Sequence, residues 1–133
     1  MQKFILIADD DSDDAQLLSE AVHETNNSYS CIAVSNGEEA LQFLQTATIK
    51  PDFIFLDLNM PRVNGKECLM EIKRNAQFNE IPVIIYSTTR QKKEMEELYR
   101  LGADHFLTKP HDFTILRNSI LKILSGKGTK VTS

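Results

Sequence analysis

The residues most able to do chemistry in this sequence follow the ends of short apolar runs. Asp9 and Asp10 come directly after FILIA, and Asp57 follows IFL. Ser87 follows VIIY, and Lys109 follows HFLT. Carboxylate oxygens without His or Cys beside them favour Mg²⁺ or Mn²⁺ over zinc, because hard cations prefer oxygen ligands. If the fold brings these side chains together, they form a divalent cation site beside a hydroxyl and an ammonium group.

The charge of these aspartates requires a counter-charge wherever they meet. At an effective dielectric constant near 20, two unit charges about 5 Å apart repel each other by roughly 3 kcal/mol. Repulsion among three carboxylates exceeds what one lysine offsets, so protons or a metal ion must neutralise the cluster. Mg²⁺ fits this need, because it binds a few protein oxygens and keeps positions for water and phosphate.

The spacing of apolar residues predicts the elements that position these side chains. Short apolar or β-branched runs alternate with segments whose apolar residues recur at helical spacing. The runs are KFILIA, YSCIAV, DFIFLDL, IPVIIYS and DHFLT. The predicted helices cover residues 13–25, 38–46, 65–75, 90–101 and 112–125.

This order predicts one α/β domain with a doubly wound parallel sheet. Runs such as FILIA and IPVIIY are apolar on both faces, as in strands that helices cover on both sides. Right-handed crossovers then leave few topologies. In open parallel sheets, binding sites form at the carboxyl ends of the strands. The five residues named first should therefore meet at one edge of the sheet.

Length and composition agree with one domain and restrict its partners. The chain has 133 residues, 41% of them apolar, and a net charge of -4. The negative charge argues against direct binding to nucleic acid or to an anionic membrane. We find no apolar run that could span a bilayer and no signal peptide, so we expect a cytoplasmic location. We expect the domain to cover residues 1–125, and the small, polar residues 126–133 to form a flexible tail.

The cysteines and histidines show no pattern typical of a metal site or a catalytic triad. Cys31 and Cys68 lack zinc spacing, and we expect both to be reduced residues of the core. His23, His105 and His111 show no mutual spacing for a metal or a triad, so we treat them as incidental.

The other aspartates of ADDDSDD have a local explanation. Asp13 and Asp14 lie where the first helix should begin, where acidic side chains stabilise the helix terminus by about 0.3–1 kcal/mol each. We therefore assign both a structural role. A calcium-binding EF-hand loop is the alternative, since Asp9, Asp11 and Asp13 alternate and Glu20 takes the twelfth place. That loop needs a glycine at its sixth place, which holds Asp14, and a helix before it, where this chain has a strand pattern.

Several segments resemble the response-regulator receiver domains of two-component signalling. They are ILIADD, PDFIFLDLNMPRVNG, YST and GADHFLTKP, and together they extend the resemblance over roughly residues 3–124. The resemblance implies a flavodoxin-like (βα)₅ fold with strand order 2-1-3-4-5, the order of a chemotaxis receiver domain. SNGEEALQFL and LDLNMPR are especially similar to single-domain receivers that partner bacterial phytochrome-type kinases.

The resemblance assigns the acidic residues to phosphoryl acceptance and metal binding. Asp57 resembles the phosphoacceptor, and Asp9 and Asp10 resemble the acidic pair that holds Mg²⁺ together with Asp57. The backbone carbonyl of Asn59 would complete the protein ligands. In this chemistry a carboxylate attacks a phosphorus centre, and Mg²⁺ and a lysine neutralise the charge on the equatorial oxygens.

Ser87, Lys109 and Phe106 match other functional positions of the family. Ser87 matches the hydroxyl that hydrogen-bonds the phosphoryl group, and Lys109 matches the lysine that pairs with it. The resemblance also implies a cis peptide bond between Lys109 and Pro110. Phe106 occupies the aromatic switch position, and we expect its ring to turn inward into space that Ser87 vacates on phosphorylation.

The resemblance implies a stand-alone receiver that accepts a phosphoryl group from a sensor histidine kinase or a phosphotransfer protein. It would catalyse its own phosphorylation and dephosphorylation without turnover of a separate substrate. We expect output through the face formed by the fourth helix, the fifth strand and the fifth helix, which would bind a protein target or form a homodimer. The fourth helix carries Met95, Leu98 and Tyr99 at helical spacing. The alternative is that these three residues only cover the sheet.

Three other classes of protein share parts of this pattern. A phosphatase of the haloacid-dehalogenase type needs a second aspartate two residues after the nucleophile, where this chain has Asn59. A flavodoxin needs a phosphate-binding loop after the first strand, where ADDDSDD would repel the FMN phosphate. A structural adaptor with a degenerate receiver fold would lack the acceptor aspartate, whereas this sequence has the expected site residues.

Overall fold

The elements predicted from the apolar runs are present in the structure, a computed structural model that describes residues 3–109, 112–126 and 130–132. The strands are β1 (Lys3–Ala8), β2 (Tyr29–Val34), β3 (Phe53–Leu56), β4 (Val83–Ser87) and β5 (His105–Thr108). The helices are α1 (Ser12–Thr25), α2 (Gly37–Thr46), α3 (Gly65–Arg74), α4 (Lys92–Arg100) and α5 (Phe113–Leu124). None of these helices is long and apolar enough to cross a membrane.

The strands form one parallel sheet in the order β2-β1-β3-β4-β5, which confirms the flavodoxin-like prediction. β1 pairs with β2 on one side and with β3 on the other, so the winding of the sheet reverses at β1. In open parallel sheets, ligands bind in the crevice at the carboxyl ends of the strands beside such a reversal. The crevice therefore lies where β1 and β3 end.

The core consists of two apolar clusters on opposite faces of the sheet, because successive strand residues point to opposite sides. One cluster packs under α2, α3 and α4, and the other packs under α1 and α5. The strands contribute Leu6, Ala8, Ile54, Leu56, Val83, Ile85 and Phe106 to the first cluster, and Ile5, Ile7, Tyr29, Phe55, Ile84, Tyr86 and Leu107 to the second. Burial of each large apolar side chain stabilises the fold by about 1.5–3 kcal/mol before entropy losses.

Side-chain caps set where several helices begin, close to the strand ends. The Asp11 carboxylate accepts hydrogen bonds from the first turn of α1, and Asn36 caps α2 in the same way. Asn64 and Glu67 form a reciprocal capping box at the start of α3. Such caps are each worth about 1 kcal/mol, and they satisfy backbone N–H groups that have no partner within the helix. The loops at the carboxyl edge of the sheet are thereby anchored.

Part of the segment predicted as a flexible tail lies against the sheet. Thr132 forms a parallel bridge with Phe106 of β5, and Val131 packs against the cluster under α1 and α5. The polar composition of residues 126–133 gave no indication of these contacts. The flexibility of the whole segment stays a prediction, and residues 130–132 have defined partners.

Candidate functional site

Three carboxylates meet at the carboxyl edge of the sheet, beside the winding reversal. The Asp9 N–H donates to the Val34 carbonyl at 3.0 Å, and the Asp57 N–H donates to the Ala8 carbonyl at 2.9 Å. These bonds continue the strand pairing and hold both residues at the strand ends. One oxygen each from Asp9, Asp10 and Asp57 lies within 4.8 Å of the others. The structure therefore brings together the aspartates that the sequence predicted to meet.

The three aspartates differ in their exposure to solvent. Asp9 is 4% exposed and Asp57 is 7% exposed, whereas Asp10 is exposed. The cluster thus has two buried charges and one that faces water. Closely spaced carboxylate oxygens with one open side suit a cation such as Mg²⁺, which keeps several water ligands.

The ammonium group of Lys109 lies among these carboxylates. Its Nζ donates to Asp9 Oδ2 at 2.6 Å, and it lies 3.1 Å from Asp14 Oδ2 and 3.6 Å from Asp57 Oδ2. The same nitrogen lies 4.9 Å from the centroid of the Tyr86 ring. The lysine is 5% exposed, so these neighbours replace most of its water. One buried cation is thereby shared by three carboxylates.

The electrostatics of the site favour additional positive charge. Burial raises the pKa of Asp57 to about 6; Lys109 lowers this pKa, and Asp9 raises it. Burial lowers the pKa of Lys109, but its hydrogen bond to Asp9 and the charges of Asp57 and Asp9 raise it to a net value above its ordinary range. The lysine therefore stays charged, but its single positive charge does not balance the negative charge of the carboxylates around it. A dication would relieve the remaining repulsion.

Asn59 contacts Asp57, and Ser87 ends β4, the strand beside β3. Ser87 is fully buried at the end of β4, and its carbonyl accepts a hydrogen bond from the Lys109 N–H at 2.6 Å. This bond ties the ends of β4 and β5 together. The Asn59 N–H lies 3.4 Å from Asp57 Oδ1, a weak hydrogen bond. A metal bond from the Asn59 carbonyl stays a prediction, as does contact between the Ser87 hydroxyl and a phosphoryl group.

Asp14 lies in the first turn of α1, as predicted, and its side chain also contacts the buried Lys109. Asp11 is the capping residue of α1, and its carboxylate accepts from the Asp13 and Asp14 N–H groups. The Asp14 carboxylate instead reaches back to Lys109.

Phe106 is already inside the protein, with no exposed surface. Its ring centroid lies 6.5 Å from that of Tyr99, with the ring planes tilted by 55°. The expected inward turn does not fit this starting position, because the ring has no further burial to gain. A switch role for Phe106 stays a prediction. The predicted cis bond between Lys109 and Pro110 lies outside the described residues, as does His111.

The chain belongs to the family of response regulator receiver domains, because the sequence model of this family matches residues 5–121. The general role of this family is to accept a phosphoryl group on an aspartate, and its members bind Mg²⁺ at an acidic cluster. Membership implies interaction with a histidine kinase or a phosphotransfer partner. The cluster of aspartates at the sheet edge fits this cofactor, because it supplies hard oxygen ligands only.

Several relatives are similar to this chain over most of their length. Response regulator Rcp1 of Synechocystis sp. is 32% identical over 112 residues, which are 80% of this chain and 76% of that protein. The structure of the Mn²⁺-bound form of Rcp1 matches with a TM-score of 0.81 and 30% identity, covering 98% of this chain and 97% of the other. The phosphorylated cyanobacterial phytochrome response regulator RcpA matches with a TM-score of 0.82 and 29% identity, covering 92% and 91%.

Proposed function

We propose that Asp57 is the phosphoryl acceptor and that Asp9, Asp10 and Asp57 hold Mg²⁺ together with the Asn59 carbonyl. One observation carries this proposal: an oxygen of each aspartate lies within 4.8 Å of the others. This spacing suits oxygen ligands of one small cation. Mn²⁺ is an alternative ion, in keeping with the Mn²⁺-bound structure of the relative Rcp1.

In the proposed reaction, a carboxylate oxygen of Asp57 forms a bond to phosphorus. The bond between that phosphorus and the imidazole nitrogen of a kinase phosphohistidine breaks, and the nitrogen keeps the electron pair. The metal ion, when bound, neutralises charge on the phosphoryl oxygens. Lys109, whose Nζ lies 3.6 Å from Asp57 Oδ2, neutralises a further part of this charge. Ser87 donates its hydroxyl to a phosphoryl oxygen.

Asp14 has a positioning role in this proposal. It lies nearer to the Lys109 ammonium than Asp57 does, at 3.1 Å against 3.6 Å. Asp14 therefore competes for the cation that the phosphoryl group needs. A negative side chain here also repels the incoming phosphoryl oxygens. Asp14 thus opposes phosphorylation while it keeps Lys109 within reach of the site.

Intact-mass analysis after incubation with acetyl phosphate tests the acceptor and the metal. We expect a single phosphoryl adduct on the wild-type chain in Mg²⁺ and none in excess chelator. Asp57→Asn should lose the adduct, whereas Asp13→Asn, a matched change on the first turn of α1, should keep it. Undiminished uptake by Asp57→Asn would show another acceptor, and uptake in chelator would exclude a required metal.

We also propose that the face formed by α4, β5 and α5, here called the output face, forms a phosphorylation-enhanced homodimer or binds a protein target. Two contacts support this proposal. Lys109 at the end of β5 is hydrogen-bonded to Ser87, and Phe106 on β5 packs near Tyr99 of α4. A change at the acidic cluster can therefore reach α4 through packed groups.

NMR shift mapping with beryllium fluoride, a phosphoryl mimic, tests the output face. We expect perturbations around Asp57 and also across residues 90–106. Perturbations confined to the neighbours of Asp57 would contradict output through this face.

A further inference from the structure

The outer edge of β5 is paired with residues 130–132 of the same chain. Among the residues that the structure describes, β5 is the last strand of the sheet, and none of β1 to β4 pairs with its outer edge. The Phe106 N–H donates to the Val131 carbonyl at 2.8 Å, and Thr132 completes a parallel bridge. Unpaired strand edges readily accept an extended segment, because their N–H and C=O groups are already aligned. Residues 130–132 use this edge in that way.

Further contacts hold this segment against the start of β5. The Val131 N–H donates to His105 Nδ1 at 2.9 Å, which requires a neutral imidazole with its proton on Nε2. Burial lowers the pKa of His105; Asp104 raises this pKa, and Lys130 lowers it. The Lys130 ammonium donates to the Ala103 carbonyl at 3.1 Å. Backbone and side-chain bonds therefore determine the position of the segment.

The segment also contacts α4 through Tyr99. The tyrosine hydroxyl donates to the Val131 carbonyl at 3.3 Å and makes a short contact with Thr132 Oγ1. The Lys130 Nζ lies 4.8 Å from the centroid of the Tyr99 ring. The same ring packs near Phe106. Residues 130–132 thus touch both aromatic residues that connect β5 with α4.

From these contacts we infer that the edge of β5 is a binding surface for an extended segment, and that residues 130–132 act as an autoinhibitory strap across it. The inference rests on the proposed output face in one respect, because the strap covers the middle strand of that face. A partner that pairs with β5 must displace the strap. Binding of such a partner and binding of the strap are mutually exclusive.

Phosphorylation and strap binding should be coupled. If phosphorylation moves Phe106 or Tyr99, it moves two of the groups that hold residues 130–132. Thermodynamic reciprocity then requires that loosening the strap favour the phosphorylated arrangement by the same factor. The strap therefore stabilises the unphosphorylated arrangement.

Amide hydrogen exchange of the full chain tests the strap without any phosphoryl group. Val131→Asp places a charge where Val131 packs on the core, and we expect exchange of the Phe106 amide to accelerate by about tenfold or more. Ile49→Asp is the matched control, since Ile49 is 61% exposed and lies between α2 and β3. Tyr99→Phe removes only a hydroxyl and should accelerate exchange by about two- to fivefold. Unchanged Phe106 exchange in both Val131→Asp and Tyr99→Phe would overturn the strap.

Adding Mg²⁺ and beryllium fluoride tests the coupling separately. In the wild-type chain, the exchange rate of the Phe106 amide should rise toward the rate measured in Val131→Asp. The rate in Val131→Asp should change little on addition of the mimic. If the NMR signal of Asp57 shifts while exchange of the Phe106 amide stays unchanged, the strap is not coupled to the site. If the NMR signal of Asp57 does not shift at all, the result contradicts Asp57 as the phosphoryl acceptor. The exchange experiment on Val131→Asp and Tyr99→Phe would remain a valid test of the strap.

Discussion

Replacing Asp57 with asparagine should stabilise the metal-free protein, although it removes the proposed acceptor. The side chain is 7% exposed, and burial raises its pKa from the ordinary 3.8 to about 6. A carboxyl group with a raised pKa contributes its full stability below the unfolded-state pKa. It loses that contribution as the pH rises through the folded-state pKa. Wild-type protein therefore carries a penalty above pH 6, and a neutral asparagine does not.

The size of this penalty follows from the difference between the two pKa values. A change from 3.8 to about 6 corresponds to about 3 kcal/mol, at about 1.4 kcal/mol for each tenfold change in the acid constant. This pKa already includes the attraction of Lys109, whose contact with Asp57 at 3.6 Å is the longest of the three that the lysine makes with aspartates. The polar asparagine amide is itself costly to bury, and this cost offsets part of the gain. We expect a net gain of about 1–3 kcal/mol at pH 8.

Urea unfolding in chelator, measured between pH 4 and pH 8, tests this expectation. The difference between Asp57→Asn and wild type should be near zero at pH 4 and should grow as the pH rises. Glu96→Gln removes one exposed charge from α4 and serves as the control for net charge. Mg²⁺ at one hundred times its dissociation constant should add about 2.7 kcal/mol to wild type and less to the variant. A gain that is equal at pH 4 and pH 8, or a destabilised variant at pH 8, would refute the electrostatic argument.

Other substitutions test the remaining parts of the site. Asp14→Asn should speed phosphorylation by acetyl phosphate about fivefold, equivalent to about 1 kcal/mol in the barrier, with Asp13→Asn unchanged in the same intact-mass time course. Equal rates for the two variants would exclude a role for Asp14. Lys109→Gln should lower the free energy of unfolding in chelator at pH 8 by about 3–5 kcal/mol, because it leaves buried carboxylates without their cation. Urea titrations measure this loss, which Mg²⁺ should reduce; a loss that Mg²⁺ leaves unchanged would contradict the argument. Gly65→Ala should cost roughly 2–4 kcal/mol, since the added Cβ would lie 2.2 Å from the Asp57 carbonyl oxygen. An unchanged thermal midpoint would show that the loop can relax.

Strand positions were predictable wherever an apolar run is bounded by polar residues. KFILIA and YSCIAV correspond to β1 and β2 residue for residue. DFIFLDL is longer than β3, because the chain leaves the sheet at Asp57, and apolar Leu58 is buried in a loop. α4 was predicted from residue 90 and begins at Lys92. Its first residues offered no clear signal, since Gln91 makes no capping bond through its side chain.

The meeting of Asp9, Asp10 and Asp57 was predictable, because parallel strands deliver their carboxyl ends to one edge. The contacts of residues 130–132 were not, since four of their hydrogen bonds use backbone carbonyl or N–H groups, which do not depend on the residue type. His105 was treated as incidental because the histidines show no spacing for a metal or a triad, and its bond to the Val131 N–H follows no sequence pattern. The buried position of Phe106 depends on packing between β5 and α4, which the spacing within one element does not determine.

The separation of the core into two clusters affects how the sequence of this chain can evolve. Adjacent residues of β1, such as Leu6 and Ile7, belong to different clusters because they point to opposite faces. Substitutions without shared partners change stability almost additively, whereas neighbours in one cluster do not. A destabilising change under α5 can therefore be compensated by any independent gain under α3, without repacking of the sheet. Substitutions can therefore accumulate independently in the two clusters. Both sets of substitutions must preserve the sheet that lies between the clusters.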